Sequence, residues 1–568
     1  MLRFVAIVVV SVVVAIGAGC GPGSPGPGID VDRAMSEGAE IAFPRHYNGE
    51  PGMRVQGFIM RTLEAMGVPY EYMPVGTVDV PRIEVMGNVY RERESLRVDD
   101  ANLVVRFGPP GKALLVMAHY DSVPGSPGAT DNAAAVAIVL ELARVLKAEP
   151  PQRAVMLVFT AAEEVGLVGA EALAAKLGDE IDFAIALDLI GGDGPLVVNG
   201  ASMLVGRAEL AWLRDGADRA GVELQFPLVH RVVSRWWPQA ERSDHGPFTR
   251  RGVRAIHFYN RGNDGEWIDL AYHSERDTWP RVHREQVAAV GRLLRALTAD
   301  DSAHDAVPAY DGDGFVVPVV HWVIARWVLV AIELALAIVT VLALVRQRRV
   351  RSPGAGLLIG TASFIVAVVL AIIAERLVLP YRGAWLLSPL RSTLALALVL
   401  AGTFGLLTRV VARFTAWTGS LRYRAFASLT CLAIGLAFLA IGAAELAWIW
   451  LVPALVIAIA PAAVGVVASL VPAILVLHPF QLREAAWNGF LPASLPLAAA
   501  IGLLGAPTIA AVAWAWSSRR VRPGPLGTLV LGVGCGLAVS LGILLAGTAK
   551  TTCSSVEFGR FGLACERV

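Results

Sequence analysis

Seven residues in the first 300 positions have the types and order of a divalent-metal site. His119 and Asp121 close the apolar run LLVMAHYD, and Asp131 follows the Pro/Gly-rich loop SVPGSPG. Glu163 and Glu164 follow AVMLVFTAA, Asp188 follows IDFAIAL, and His273 lies far along in AYHSERDT. The period of two along a strand puts His119 and Asp121 on one side. Imidazole nitrogens and carboxylate oxygens without a thiolate suit a catalytic zinc or a related divalent ion. Adjacent carboxylates at a strand end cannot point the same way, so one of Glu163 and Glu164 can ligate while the other handles protons. Singly, each residue is unremarkable; a lone His is usually core or surface, and a Glu pair is usually a solvated edge. The ordered set is what points to chemistry.

The elements that must carry these residues alternate between strand and helix. Residues 103–107, 113–118, 154–160, 181–188 and 255–259 read as strands, and 132–147, 167–177 and 283–297 as helices. Continuous buried strand runs with helices between them predict an α/β domain, a mostly parallel sheet with helices on both faces. In such sheets chemistry collects at the carboxyl ends of the strands, where these polar residues fall.

The segments AHYDSVPGSPGATDNAAAVAIVLELAR, FTAAEEVGLVGAEAL, ALDLIGG, SDHGPF and YHSERDT resemble, in order, the di-zinc aminopeptidases of the aminopeptidase Y and bacterial leucine aminopeptidase type. The likeness runs over roughly residues 85–300. The resemblance implies a zinc exopeptidase-like fold and two Zn2+ ions, with other divalent ions able to substitute. It implies that His119 and Asp188 hold one zinc, Glu164 and His273 the other, and Asp131 bridges them. Glu163 is then the general base, Asp121 orients His119, and the Asp131–Asn132 peptide is cis. The implied reaction is peptide-bond hydrolysis by metal-activated water, releasing N-terminal residues from peptide substrates. One departure is Ala170, where the family usually has Ser; it is not a ligand position. Asp244 and His245 fit either a pocket wall or a structural turn, and Trp236, Trp237 and Tyr259 fit a substrate cleft or plain packing.

Composition sets the second half apart. Of 568 residues 55% are hydrophobic and only 17% charged, with a mean hydropathy of +0.57. Residues 321–568 carry 19 Lys and Arg against six Glu and no Asp, leaving 30 basic and 42 acidic residues to the first 320. An acidic front half and an arginine-dotted apolar back half predict a soluble domain joined to a membrane domain. A nucleic-acid partner is not expected, because the basic residues punctuate apolar runs instead of forming one patch. Spans are expected near 327–345, 355–374, 392–408, 425–444, 491–516 and 526–548. The stretch 446–477, interrupted by Pro453, Pro461 and Pro472, reads as two short crossings or a re-entrant hairpin, giving about eight helices in the lipid bilayer.

Eleven Lys and Arg on one set of breaks against seven on the other put the first 320 residues outside, on the periplasmic or luminal side. Cys553 and Cys565 lie in the external tail and are placed to pair in an oxidising compartment. Cys431 and Cys535 read as small hydrophobes within spans. Residues 1–20 read as a signal peptide, as a lipoprotein signal ending at Cys20 or as an anchor. The organisation is then 21–52 tether and lead-in, 53–300 zinc peptidase domain, 301–326 linker, 327–548 transmembrane domain and 549–568 tail. This layout resembles the endoplasmic reticulum metallopeptidase and vacuolar membrane protease branch. Two other readings stand beside it: a glutaminyl cyclase-like single-zinc enzyme, and a membrane transport or scaffold protein with a peptide-binding ectodomain. Glu333, a carboxylate inside the first span, is the best support for the last.

Overall fold

The computed structural model describes residues 28–85, 88–91, 93–199, 205–226, 241–260, 271–298, 307–308, 311–312, 314–316, 323–346, 420–461, 464–465 and 467–469. The chain divides into two units between Arg326 and Trp327.

The first unit opens with two helices. Helix α1 (Val31–Ile41) begins at Asp30, whose carboxylate accepts the Arg33 amide at 3.1 Å, an N-cap that satisfies one of the first-turn donors. Helix α2 (Glu50–Met66) ends on Gly67 in the left-handed conformation, the usual way of turning the chain off a helix. Then come β1 (Tyr70–Val80), a ribbon of β2 (Ile83–Val85) and β3 (Asn88–Arg91), β4 (Glu94–Phe107) and β5 (Ala113–His119). They are followed by α3 (Ala134–Ala148), β6 (Val155–Thr160), α4 (Val168–Leu177) and β7 (Ile181–Leu187). The rest of the unit is β8 (Leu196–Asn199), α5 (Arg207–Ala220), β9 (Leu224–Gln225), α6 (His245–Arg250), β10 (Arg254–Asn260), α7 (Arg284–Thr298) and the ribbon β11 (Gly314–Val316) and β12 (Val323–Ala325).

Eight strands form one sheet in the order β1-β4-β6-β5-β7-β10-β8-β9. The four central strands β6, β5, β7 and β10 run parallel. On one side β4 pairs antiparallel with both β6 and β1, and on the other β8 is antiparallel to β10. The sheet is parallel through its centre, as expected, and antiparallel toward its flanks, which the sequence reading did not include. The reason is visible in β1: its residues alternate between buried and exposed, the mark of a half-solvated antiparallel strand. A search for unbroken apolar runs passes over such a strand.

Alternation along the central strands builds two cores. In β5, Leu114, Val116 and Ala118 pack beneath α1, α2, α3, α5 and α7. Leu115 and Met117 face the opposite layer with Leu173 and Leu177 of α4 and Phe248 of α6. All seven β5 residues are buried; each Val or Leu so placed stabilises the fold by roughly 1.5–3 kcal/mol. With both faces covered, the open ground is the carboxyl edge of β5, β6 and β7.

In the second unit, the helix α8 (Arg326–Arg346) includes a stretch, Arg326–Val345, long and apolar enough to cross a membrane. Two further apolar helices are α9 (Ser420–Ala440) and α10 (Ala444–Ile459). Helix α10 runs through Pro453 and stops before Pro461, so Pro453 does not break the chain as its type suggests. At 1.5 Å per residue its 16 residues span about 24 Å. The other expected spans, residues 1–20 with Cys20, the external tail with Cys553 and Cys565, Cys535, Trp236 and Trp237 lie outside the described residues.

Candidate metal centre

Three parallel strands deliver ligand-type side chains to one edge. His119 is the last residue of β5, Glu163 and Glu164 follow β6, and Asp188 follows β7. Asp131 arrives from the irregular turn 129–133 that leads into α3, where the Asp131–Asn132 peptide is cis. His273 comes from the turn that begins at Ala271. Three residues here take positive φ without being glycine: Ala162 before the glutamates, Leu189 after Asp188, and His273 itself. Left-handed backbone at such residues costs about 1–3 kcal/mol each and persists only where packing imposes it.

Asp131 stands between the two histidines. Its Oδ1 lies 3.2 Å from His119 Nε2 and its Oδ2 3.2 Å from His273 Nε2. On the His119 side, Asp188 Oδ1 lies 3.6 Å from the same Nε2. On the His273 side, Glu164 Oε2 lies 3.1 Å from its Nε2. Ligand atoms of His119, Asp131 and Glu164 all fall within 4.8 Å of one another, as do those of His119, Glu163 and Asp188. The structure thus brings together His119, Asp121, Asp131, Glu163, Glu164, Asp188 and His273.

Asp121 holds the glutamate turn. Its two carboxylate oxygens accept the backbone amides of Glu163 and Glu164 at 3.0 and 3.1 Å. His119 Nδ1 approaches the Asp121 carbonyl at 3.2 Å and its carboxylate at 3.5 Å. One side chain therefore touches the imidazole and the turn that carries both glutamates.

The electrostatics are those of crowded anions. Burial, reinforced by Asp188, Glu164 and Asp244, pushes the Glu163 carboxyl well above the usual range, against the pull of His119. Burial and Asp131 push Glu164 up to about 7. Burial disfavours charge on His119, but the fields of the adjacent Glu163, Asp121, Asp131 and Asp188 carboxylates outweigh it and hold the imidazole well above its ordinary value. Burial opposes ionisation of Asp131 too, yet the two histidines that face it keep it well below the carboxylate range. A bound dication reverses this balance, because it is the largest local charge in such a site.

The residues fit divalent ions. Glu164 Oε1 and His119 Nε2 are buried with no hydrogen bond of acceptable geometry, although carboxylates crowd the imidazole. Buried polar atoms left in this way ask for another partner, and the donor set is all nitrogen and oxygen.

Several supporting residues were not singled out by spacing. Asp277 accepts the Thr130 amide and hydroxyl and the Asp131 amide at 3.0, 2.8 and 3.1 Å; its position four residues after His273 was the available signal. Asn102 accepts the Ala161 amide and donates to the Gly169 carbonyl, tying the two ends of the glutamate turn. Tyr272 stacks on His273 with ring centroids 3.7 Å apart. Asp244 is buried and hydrogen-bonded to Thr160 at the end of β6. His245 bonds Glu241 at 2.7 Å and stacks on His257. Tyr259 packs against His257 on β10.

Residues 102–298 match the model of Peptidase family M28. Over that stretch the chain is similar to the M28 peptidases. Aminopeptidase YwaD of Bacillus subtilis is 31% identical over 191 residues, covering 32% of this chain and 39% of that protein. The vacuolar membrane protease of Clavispora lusitaniae is 31% identical over 260 residues, covering 44% of this chain and 23% of that protein. Endoplasmic reticulum metallopeptidase 1 of Mus musculus is 46% identical over 68 residues, 11% of this chain and 8% of that one. The chain therefore spans well under half the length of these relatives. Among solved structures, BSAP, a zinc aminopeptidase from Bacillus subtilis, aligns with a TM-score of 0.39 at 16% identity, over 50% of this chain and 98% of that one. The M28 match takes in every strand of the parallel core, from β5 to β10, and all seven clustered residues.

Proposed function

We propose that the protein is a membrane-anchored zinc metallopeptidase, an aminopeptidase that binds two zinc ions at the carboxyl edge of its sheet. The observation that carries this reading is the placement of Asp131, with one carboxylate oxygen toward His119 and the other toward His273. A carboxylate with one oxygen toward each imidazole is what a ligand shared by two ions requires. His119 and Asp188 would hold one ion, Glu164 and His273 the other, and Asp131 both. Ions bound there would acidify water and polarise a carbonyl.

The remaining work falls to the chain. Glu163, buried and kept basic by burial and its anionic neighbours, takes the proton from the attacking water and returns it to the leaving amine. Such acid–base help is worth roughly 10²–10⁴-fold. Asp121 fixes the Glu163 and Glu164 amides, so the base and a ligand keep their separate directions. A free substrate amino group is matched by the surplus of carboxylates. The apolar helix α8 serves as a membrane anchor, and the arginine asymmetry supports an extracytoplasmic position for the peptidase unit. YwaD, named an aminopeptidase, and the two membrane-named relatives support this combination.

The test is a panel of aminoacyl and amino-blocked peptides given to the zinc-loaded full chain in detergent. Release of N-terminal residues from free-amine peptides alone is expected. Cleavage of blocked peptides would make it an endopeptidase, and cyclisation of N-terminal glutamine a cyclase.

A further inference from the structure

Arg45 is buried in the first unit and lies outside the residues that match M28. It follows α1, and its side chain reaches a loop some 80 positions on. Nε donates to the Tyr120 carbonyl at 2.7 Å, Nη1 to Pro127 at 2.5 Å and to Phe43 at 3.2 Å, and Nη2 to Gly128 at 2.9 Å. The Arg45 amide donates to Ser122 Oγ at 3.1 Å, and the Ser122 amide returns a bond to the Arg45 carbonyl at 3.3 Å. These partners bracket residues 120–128, the loop joining His119 to the turn that carries Asp131.

Every side-chain bond of this guanidinium that the structure records goes to a neutral carbonyl. Burial works against its charge, and the fields of Asp121, Asp131, Asp277 and Glu164 act the other way. The fork is also packed tightly: a Cβ on Gly128 would come within 3.0 Å of Nη1 and within 2.8 Å of Ser122 Cβ. Arg45 is itself held from the far side. Asn48, at φ 54, donates from its side chain to the Arg97 carbonyl at 2.9 Å and accepts the Asp99 amide at 2.7 Å, while its own amide donates to Asp100 at 2.7 Å. The arginine therefore stands on a base fixed to β4 and spans to the metal loop.

We infer that Arg45 is a positioning residue of the metal centre, a clamp that fixes the 120–128 loop so that His119 and Asp131 meet the same ion. The inference rests on the two-zinc reading above. Partners that orient ligands typically contribute 10–100-fold in metal affinity. Geometry and charge predict opposite signs here, which makes the clamp testable. A residue that acted only through its positive charge would repel cations, and its removal would tighten metal binding.

The experiment measures zinc affinity of the full chain in detergent by chelator competition, well below the thermal midpoint of each variant, for wild type, Arg45→Lys and Arg45→Met. Zinc binding 10–100-fold weaker in Arg45→Met, with Arg45→Lys between, is expected. Affinity in Arg45→Met equal to or tighter than wild type overturns the clamp and leaves a stability or charge role. Should Arg45→Met fail to fold, Arg45→Lys and Asn48→Gly, which loosens the base of the clamp, are judged by the same criterion. Wild type that binds no zinc refutes the metal reading itself, and wild type that binds zinc beside equally tight variants refutes the clamp alone.

Discussion

Asp277 and Asp131 are joined through the backbone: Asp277 Oδ2 accepts the Asp131 amide at 3.1 Å, while its Oδ1 takes both the amide and hydroxyl of Thr130. A residue from the His273 turn thereby sets the attitude of the carboxylate that both histidines face. Asp277→Asn replaces one acceptor oxygen with a donor that opposes these N–H groups. Zinc affinity in that variant is expected to fall 10–100-fold, with a smaller loss in kcat once metal is saturating. Chelator competition beside steady-state kinetics separates the two.

Glu163→Gln keeps the shape of the base and removes its proton affinity. Peptide hydrolysis should drop roughly 10²–10⁴-fold while the zinc content measured by elemental analysis stays at the wild-type value. A variant that lost zinc in proportion to activity would mark Glu163 as a ligand, which its proximity to His119 and Asp188 makes a pointed alternative.

Stripped of metal, the site should make stability fall with rising pH. Burial holds Glu164 and Asp244 up to about 7 and Asp277 up to about 6, whereas in the unfolded chain such groups titrate near ~4. His119 and His273 are raised as well, their carboxylate neighbours outweighing burial. The folded state then binds more protons than the unfolded state between about pH 4 and pH 7, so unfolding free energy declines across that window. Asp131 has the opposite sign, and its contribution is lost only below the ordinary carboxylate range. Thermal melts of chelator-treated protein should show the midpoint dropping from pH 5 to pH 8. Zinc should restore most at the alkaline end. A midpoint that climbs with pH would contradict this assignment.

Gly169→Ala probes the glutamate turn. A methyl there would collide with the Ala161 carbonyl and the Asn102 side-chain oxygen, both part of the turn's own hydrogen bonding. Overpacking of this kind costs about 1–3 kcal/mol, readable as a lower thermal midpoint, with hydrolysis falling as Glu163 and Glu164 shift.

The ligand-type residues were legible because each ends a long apolar run: His119 after β5, the glutamates after β6, Asp188 after β7. Chain chemistry marks such places without knowledge of the fold. What supports them was not legible. Asn102, Asp277 and Arg45 act on backbone atoms 59 to 147 positions away, and apart from the closeness of Asp277 to His273 nothing near them in the chain signals a role. Strand β1 escaped notice since half its residues face solvent, and with it went the antiparallel edge of the sheet. Pro453 misled in the other direction, its residue type suggesting a break where α10 continues.

The most direct measurement is zinc stoichiometry of the purified full chain, paired with hydrolysis of a free-amine peptide before and after chelation. The account predicts two zinc ions per chain, activity lost on chelation and regained on adding zinc, and a single ion at most in Asp131→Ala. One tightly held zinc in the wild type, or full hydrolysis by metal-free protein, would contradict it.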